Sequence, residues 1–163
     1  MRGGLRQQGR VHDLLRARHR SGPAGVGPDP GTANGTQYQQ YYCEGGYQQM
    51  LDLKPVSGKT DTYTVVDELS GKCLDVSAAS TADGAAVIQY TCSGATNQQF
   101  TLSAVTALGN SQDYQMIAVH SGKCIDVTGV STAAGATIHQ WTCDAASVLS
   151  TKRNQIWRLL GKA

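Results

Sequence analysis

Ser70-Gly71-Lys72-Cys73-Leu74-Asp75-Val76 returns fifty-one residues later as Ser121-Gly122-Lys123-Cys124-Ile125-Asp126-Val127. The register then runs without a gap through Ser80-Thr81-Ala82 and Ser131-Thr132-Ala133 to Gln89-Tyr90-Thr91-Cys92 and Gln140-Trp141-Thr142-Cys143, with 14 of 23 positions identical. Each block closes on an Asn-Gln-x-aromatic step, Asn97-Gln98-Gln99-Phe100 and Asn154-Gln155-Ile156-Trp157. A match at fixed offset is the mark of a repeated structural unit. A partial copy lies upstream: Thr32-Ala33-Asn34-Gly35 matches Thr81-Ala82-Asp83-Gly84, and Gln40-Tyr41-Tyr42-Cys43 matches Gln89-Tyr90-Thr91-Cys92. Gln48-Gln49-Met50 then stands where Gln98-Gln99-Phe100 stands, with one residue deleted between. Before about Gly31 the match stops. Ala24 occupies the position of the first cysteine and Val26 that of the aspartate.

Cysteine spacing carries the same period. Cys73 and Cys92 are 19 apart, as are Cys124 and Cys143, at equivalent places in their units. That equivalence predicts two disulfides, each closing a loop within one unit, and leaves Cys43 unpaired because Ala24 stands at its partner position. The alternative is five reduced thiols in a cytosolic protein. Regular pairing and the absence of Cys-x-x-Cys metal spacing argue against it.

Composition points to strands. Among 163 residues there are 19 glycines and seven tyrosines, and only 16% are charged. Short alternating segments (Thr62–Val66, Tyr114–His120, Gln155–Leu159) are separated by Ser-Gly, Asp-Gly and Gly-Asn turn signals, and no sustained 3.6-residue period follows residue 30. No apolar run is long enough for a membrane-spanning helix. The formal charge of +2 is small, and its basicity belongs to one end: residues 1–30 hold six arginines against two aspartates, leaving the rest at −2. Neither nucleic acid nor membrane is an expected partner.

Cys-x-Asp-Val, a small-residue turn, Gln-Tyr/Trp-x-Cys and Asn-Gln-x-aromatic together resemble the Gln-x-Trp repeat of ricin-type β-trefoil lectins, shared by the carbohydrate-binding modules of bacterial secreted glycosidases. The resemblance covers residues 31–163. It implies an all-β, pseudo-threefold β-trefoil: six barrel strands and three capping hairpins. Units at 31–52 (incomplete), 53–103 and 104–163 follow from it, with Phe100, Trp157 and, by position, Met50 in the core. It also implies a non-catalytic, secreted carbohydrate-binding domain without cofactor or metal, either free or once part of a glycoside hydrolase. A galactose-, xylose- or arabinose-containing glycan is the expected partner, and oligomeric state is left open.

The residues suit a sugar on chemical grounds. A pyranose has one apolar C–H face, which Tyr90 or Trp141 can cover. An ionised carboxylate accepts hydrogen bonds only, so Asp75 or Asp126 can receive hydroxyl protons, while the amides of Asn97 and Asn154 supply donors. Gln98 and Gln155 support these sites. Each cystine would pin carboxylate and ring together. The third unit offers the larger ring and His139 beside it; the second has Ile88 there, which donates nothing. The first unit keeps Gln39, Tyr41 and Gln48 but lacks the aspartate, and is expected to be weak or dead. The insertion Asp144–Arg153 is expected to be a solvated loop, with contact through Lys152 or Arg153 as the alternative.

Residues 1–30 fit no part of the repeat and lack the apolar stretch of a secretory signal. They are expected to be irregular and non-native to this domain, the product of a wrong start, a frame error or a fragmentary gene. A barrel built from 31–163 alone would leave strand edges unpaired. Two other functions were weighed. A glycosidase needs two carboxylates facing one bond, and each unit offers one aspartate. A β-trefoil that binds or inhibits a protein would not need the repeated Asp, aromatic and Asn set.

Overall fold

Alternation along the strands decides which side chains turn inward. The computed structural model describes residues 14–15, 18–19, 22–25, 31–42, 49–105, 112–145, 149 and 152–159, and before residue 31 the backbone alone. The strands are β1 (Leu14–Leu15), β2 (Arg18–His19), β3 (Gly22–Gly25), β4 (Gln39–Gln40), β5 (Leu51–Pro55), β6 (Thr62–Asp67), β7 (Cys73–Val76), β8 (Val87–Tyr90), β9 (Gln99–Ala104), β10 (Asp113–Ala118), β11 (Cys124–Val127), β12 (Ile138–Trp141) and β13 (Trp157–Arg158). Every pairing between them is antiparallel.

The barrel runs β1-β5-β6-β9-β10-β13-β2. The two ends of this order, β1 on β5 and β2 on β13, lie two residues apart in the chain. The remaining strands form three hairpins, β3–β4, β7–β8 and β11–β12, held together by bridges Gln37–Ile88, Gln39–Thr137 and Ala86–His139. This is the β-trefoil expected from the repeat. Its core gathers one buried set per unit: Leu51 and Leu53 from β5, Val65 from β6, Phe100 and Leu102 from β9, Met116 from β10 and Trp157 from β13, with Val76, Val87, Val127 and Ile138 from the hairpins. Trp157 satisfies its indole N–H inside that core by donating to the Ile125 carbonyl at 2.9 Å.

One buried polar pair joins Asp67 to Tyr38. Asp67 accepts the Leu69 and Ser70 amides at 3.0 and 2.9 Å, and the Tyr38 hydroxyl donates to it at 3.4 Å. Burial pushes both the Asp67 carboxyl and the Tyr38 phenol above their ordinary ranges, the amides on Asp67 opposing the shift. The equivalent of Asp67 in the third unit is Ala118, so the pair is not part of the repeat.

Residues 1–30 contribute more pairing than their sequence suggests. Strand β1 pairs β5, β2 pairs β13, and β3 pairs β4, so these pieces occupy the place of the half unit that the repeat lacks. The physical reason is that backbone groups on exposed strand edges accept any extended chain. Where a side-chain constraint is missing, the register differs: Ala24 faces Gln40, whereas Cys73 faces Tyr90 and Cys124 faces Trp141. The rest of this segment lies outside the described residues, as does Cys43.

The first unit also ends in a different frame from the one read in its sequence. Leu51, not Met50, is buried at the place of Phe100, and Met50 is half-buried. Gln49 is the buried glutamine and donates to the Tyr42 carbonyl at 2.6 Å, as Gln98 donates to the Thr91 carbonyl at 3.0 Å. The offset of 49 is therefore kept and no residue is deleted. An apolar side chain was needed at the barrel position, and Leu51 meets that need better than a shifted methionine. Gln48 lies outside the described residues.

Candidate functional site

The hairpin registers build two similar depressions. Pairing of β7 with β8 places Cys73 opposite Tyr90 and Asp75 opposite Ile88; pairing of β11 with β12 places Cys124 opposite Trp141 and Asp126 opposite His139. Carboxylate and ring thus lie diagonally on one face, near enough for a long side chain to span. Disulfides Cys73–Cys92 and Cys124–Cys143, each with Cα atoms 5.0 Å apart, fasten the strand ends beside those rings. Tyr90 and Trp141 remain 46% and 45% exposed.

The third-unit depression, of about 340 Å³, is lined by Asp126, His139, Trp141 and Asn154, with Val130 and Lys152 at its walls. Asp126 is buried and heavily bonded. His139 Nε2 lies 3.0 Å from Oδ1, while Asn154 Nδ2 and Gln155 Nε2 donate to Oδ2 at 2.7 and 2.8 Å. His139 stacks on Trp141 with ring centroids 5.4 Å apart. Asn154 Oδ1 is buried without a protein partner. A buried acceptor in that condition costs about 1–3 kcal/mol unless a ligand or water satisfies it. Asn154 thus lines the depression with one amide proton committed to Asp126 and its oxygen buried. It is not simply the donor its residue type suggests.

In the second unit, a depression of about 570 Å³ is lined by Asp75, Ala79, Ile88, Tyr90, Ser93 and Asn97 among others. Gln98 Nε2 donates to Asp75 Oδ2 at 2.8 Å, while Asn97 Nδ2 donates to the Val76 carbonyl at 3.2 Å and acts on the carboxylate less directly than Gln98 does. Burial pushes the Asp75 carboxyl above its ordinary range, with the amides of Gln98 and Asn97 and the nearby His120 acting the other way. The two glutamines do the same work. Gln98 also accepts the Ser93 amide at 2.8 Å and Gln155 the Asp144 amide at 2.8 Å, tying the loop after each cystine to the carboxylate.

Both depressions have a tight turn as one wall. Ala78 and Ala79 have φ of 56° and 48°, and Gly129 and Val130 of 69° and 54°. A β-branched residue in the left-handed region is strained by about 1–3 kcal/mol. Val130 pays that cost where its exposed side chain faces the depression of Trp141.

A family model described as "Ricin-type beta-trefoil lectin domain-like" matches the chain three times, over residues 18–90, 48–141 and 96–162. The chain belongs to this ricin-type β-trefoil lectin family. A designed threefold-symmetric protein, ThreeFoil, is similar to it at 37% identity and a TM-score of 0.75, with 92% of this chain and 97% of that one covered. An exo-β-1,3-galactanase from Clostridium thermocellum is 28% identical with a TM-score of 0.80; 94% of this chain is covered but 31% of the galactanase, so the ricin-type domain spans under a third of that enzyme's length. The Polyporus squamosus lectin, solved bound to Neu5Acα2-6Galβ1-4GlcNAc, shares the fold at 16% identity and a TM-score of 0.70, over 94% of this chain and 50% of the lectin. The curated proteins gave no match.

Within this ricin-type domain, Asp75, Ile88, Tyr90, Asn97 and Gln98 line one depression, and Asp126, His139, Trp141 and Asn154 another, with Gln155 behind Asp126. Gln39 and Tyr41 are among the lining residues of neither depression; Gln39 instead sits in a bridge to Thr137. The insertion Asp144–Arg153 is not the freely solvated loop expected. Leu149 is buried against Val105 and Ile156, because those two would otherwise expose apolar surface. Its ends bring Asp144 and Lys152 into the third depression. The sequence named Lys152 only as an alternative and gave no sign of Asp144 or Val130. The apolar pair Val148-Leu149 in an otherwise small and polar stretch was the available signal.

Proposed function

We propose that the chain is a non-catalytic carbohydrate-binding domain, with one saccharide subsite in the second unit and one in the third. The observation that carries this reading is the third depression. There a half-exposed tryptophan, a buried carboxylate held by amides, and Asn154 line a single concavity, and a similar set recurs around Asp75, Tyr90 and Asn97. A ring for the C–H face beside acceptors for hydroxyls is the complement of a pyranose. Galactose-, xylose- or arabinose-containing glycans are the expected class. The disulfides favour a secreted protein, and the size of the galactanase relative to this chain favours a module of a larger polysaccharide-acting enzyme. Asp75 and Asp126 belong to separate depressions, and Asp144, which shares the third with Asp126, comes from the insertion and not from the repeated set. Shallow sites of this kind bind weakly alone, and joint occupancy of both would supply avidity.

A glycan array probed with the whole chain, and with Asp126→Ala and Trp141→Ala, tests this. Binding to one of the three glycan classes, reduced by either substitution, is the expected result. Failure to bind any glycan would favour a protein partner instead.

A further inference from the structure

The turns at Asn34-Gly35, Asp83-Gly84 and Ala134-Gly135 occupy the same place in the three units, and each docks on the unit that follows around the axis. Gly35 donates to the Gln89 carbonyl at 2.9 Å, Gly84 to Gln140 at 2.9 Å and Gly135 to Gln40 at 2.8 Å. The side chain before each glycine differs, and so does what it does. Asn34 Oδ1 accepts the Thr91 amide at 3.1 Å, and its Nδ2 donates to the Thr91 hydroxyl at 3.1 Å. Asp83 Oδ1 accepts the Thr142 amide at 2.8 Å and the Lys123 ammonium at 2.7 Å, while Oδ2 accepts the Thr142 hydroxyl at 3.0 Å. Ala134 has nothing to offer.

Thr91 and Thr142 sit between the platform ring and the half-cystine of the receiving unit. Their carbonyls accept Gln98 Nε2 and Gln155 Nε2, each at 3.0 Å, and those amides hold Asp75 and Asp126. The contact therefore reaches ring and carboxylate at once. At the third depression it is also steric: a Cβ on Gly84 would lie 3.9 Å from Trp141 Cζ3, so the turn packs beside the edge of the indole. Lys123 and Thr142 hold the Asp83 carboxyl below its ordinary range. A polar side chain is present where the receiving unit carries the complete Asp and aromatic set. It is absent where Ala134 meets the first unit, which lacks that set.

We propose that Asn34 and Asp83 are positioning residues that reach across the unit boundary, Asn34 setting the second depression and Asp83 the third. This rests on the saccharide reading, so the first readout needs no sugar. Trp141 and Trp157 give separate indole N–H signals in a proton–nitrogen correlation spectrum, the buried Trp157 serving as internal reference. In the whole chain, Asp83→Ala should move the Trp141 signal and leave Trp157 in place. Asp83→Asn, which keeps the Asn34-type contact, should restore it, and Asn34→Ala should not move it. Titration with lactose, xylobiose and arabinobiose should then show Asp83→Ala weakening the third depression about fivefold, and Asn34→Ala the second alone, the loss expected for a well-formed hydrogen bond. An unmoved Trp141 signal in Asp83→Ala, or an equal shift in Asn34→Ala, overturns the proposal whatever binds. A Trp141 signal that moves as expected in a protein that binds no saccharide retires the sugar reading and leaves the cross-boundary contact standing.

Discussion

The second and third depressions are built from the same strands, the same cystine and the same glutamine, yet their carboxylates are in different states. Asp126 is surrounded by an imidazole and two amides. Asp75 faces Ile88 across the hairpin and takes one clear side-chain donor, Gln98. A carboxylate has room for about four hydrogen bonds. By that count the third site is rigid and nearly filled before any ligand arrives, while the second is looser and keeps more acceptor capacity. Geometry repeated by sequence does not mean chemistry repeated by sequence. Ile88 against His139, and an Asn97 bonded to the Val76 carbonyl where Asn154 holds Asp126, separate the two.

Removing the staples should have the largest effect and is the place where the two units should behave alike. Both loops span 19 residues, so Cys73→Ala/Cys92→Ala and Cys124→Ala/Cys143→Ala should each cost about 3 kcal/mol in denaturant unfolding. Unequal losses would show that one cystine also restrains something other than chain entropy. Asp126→Ala and Asp75→Ala should divide the units. The first strands two buried amides and a histidine and should cost about 2–3 kcal/mol; the second strands mainly Gln98 and should cost about half as much. Equal melting temperatures for the two variants would refute the difference in occupancy.

The part of this architecture written in side chains was legible before the fold was known. The repeat, the cystine pairing and the burial of Phe100 and Trp157 all depend on residue type at fixed spacing. The strands at Leu14–Gly25 were not, because a ladder of backbone groups leaves no side-chain signature. The end of the first unit was read one residue out of frame, since Gln48-Gln49-Met50 imitates the motif while Gln49 and Leu51 do the packing. The state of Asp126 could not be seen either. Residue type says what an Asn can donate, and only geometry shows that one Asn154 N–H is already hydrogen-bonded to Asp126.

Smaller effects sharpen the comparison further. Ile88→His should give Asp75 the cross-strand partner that Asp126 has and raise second-site affinity about threefold, roughly half the worth of a charged hydrogen bond; calorimetric titration of this variant in an Asp126→Ala background would read it. The pH response is smaller still. The Asp75 carboxyl titrates above its ordinary range, so the folded state takes up its proton more readily than the unfolded chain. On acidification through that window this group adds to stability, while the second site loses an ionised acceptor. Second-site affinity and Asp75's contribution to stability should therefore move in opposite directions as pH falls toward the ordinary aspartate range. Parallel titration and thermal melts would reveal any common trend, which would contradict the assignment.

The most direct measurement is a glycan array of the whole chain beside an Asp75→Ala/Asp126→Ala double variant, with circular dichroism confirming that the variant is folded. The expected result is saccharide binding by the parent chain and none by the variant. Undiminished binding by the folded double variant would contradict the claim that these two carboxylates form the sugar sites.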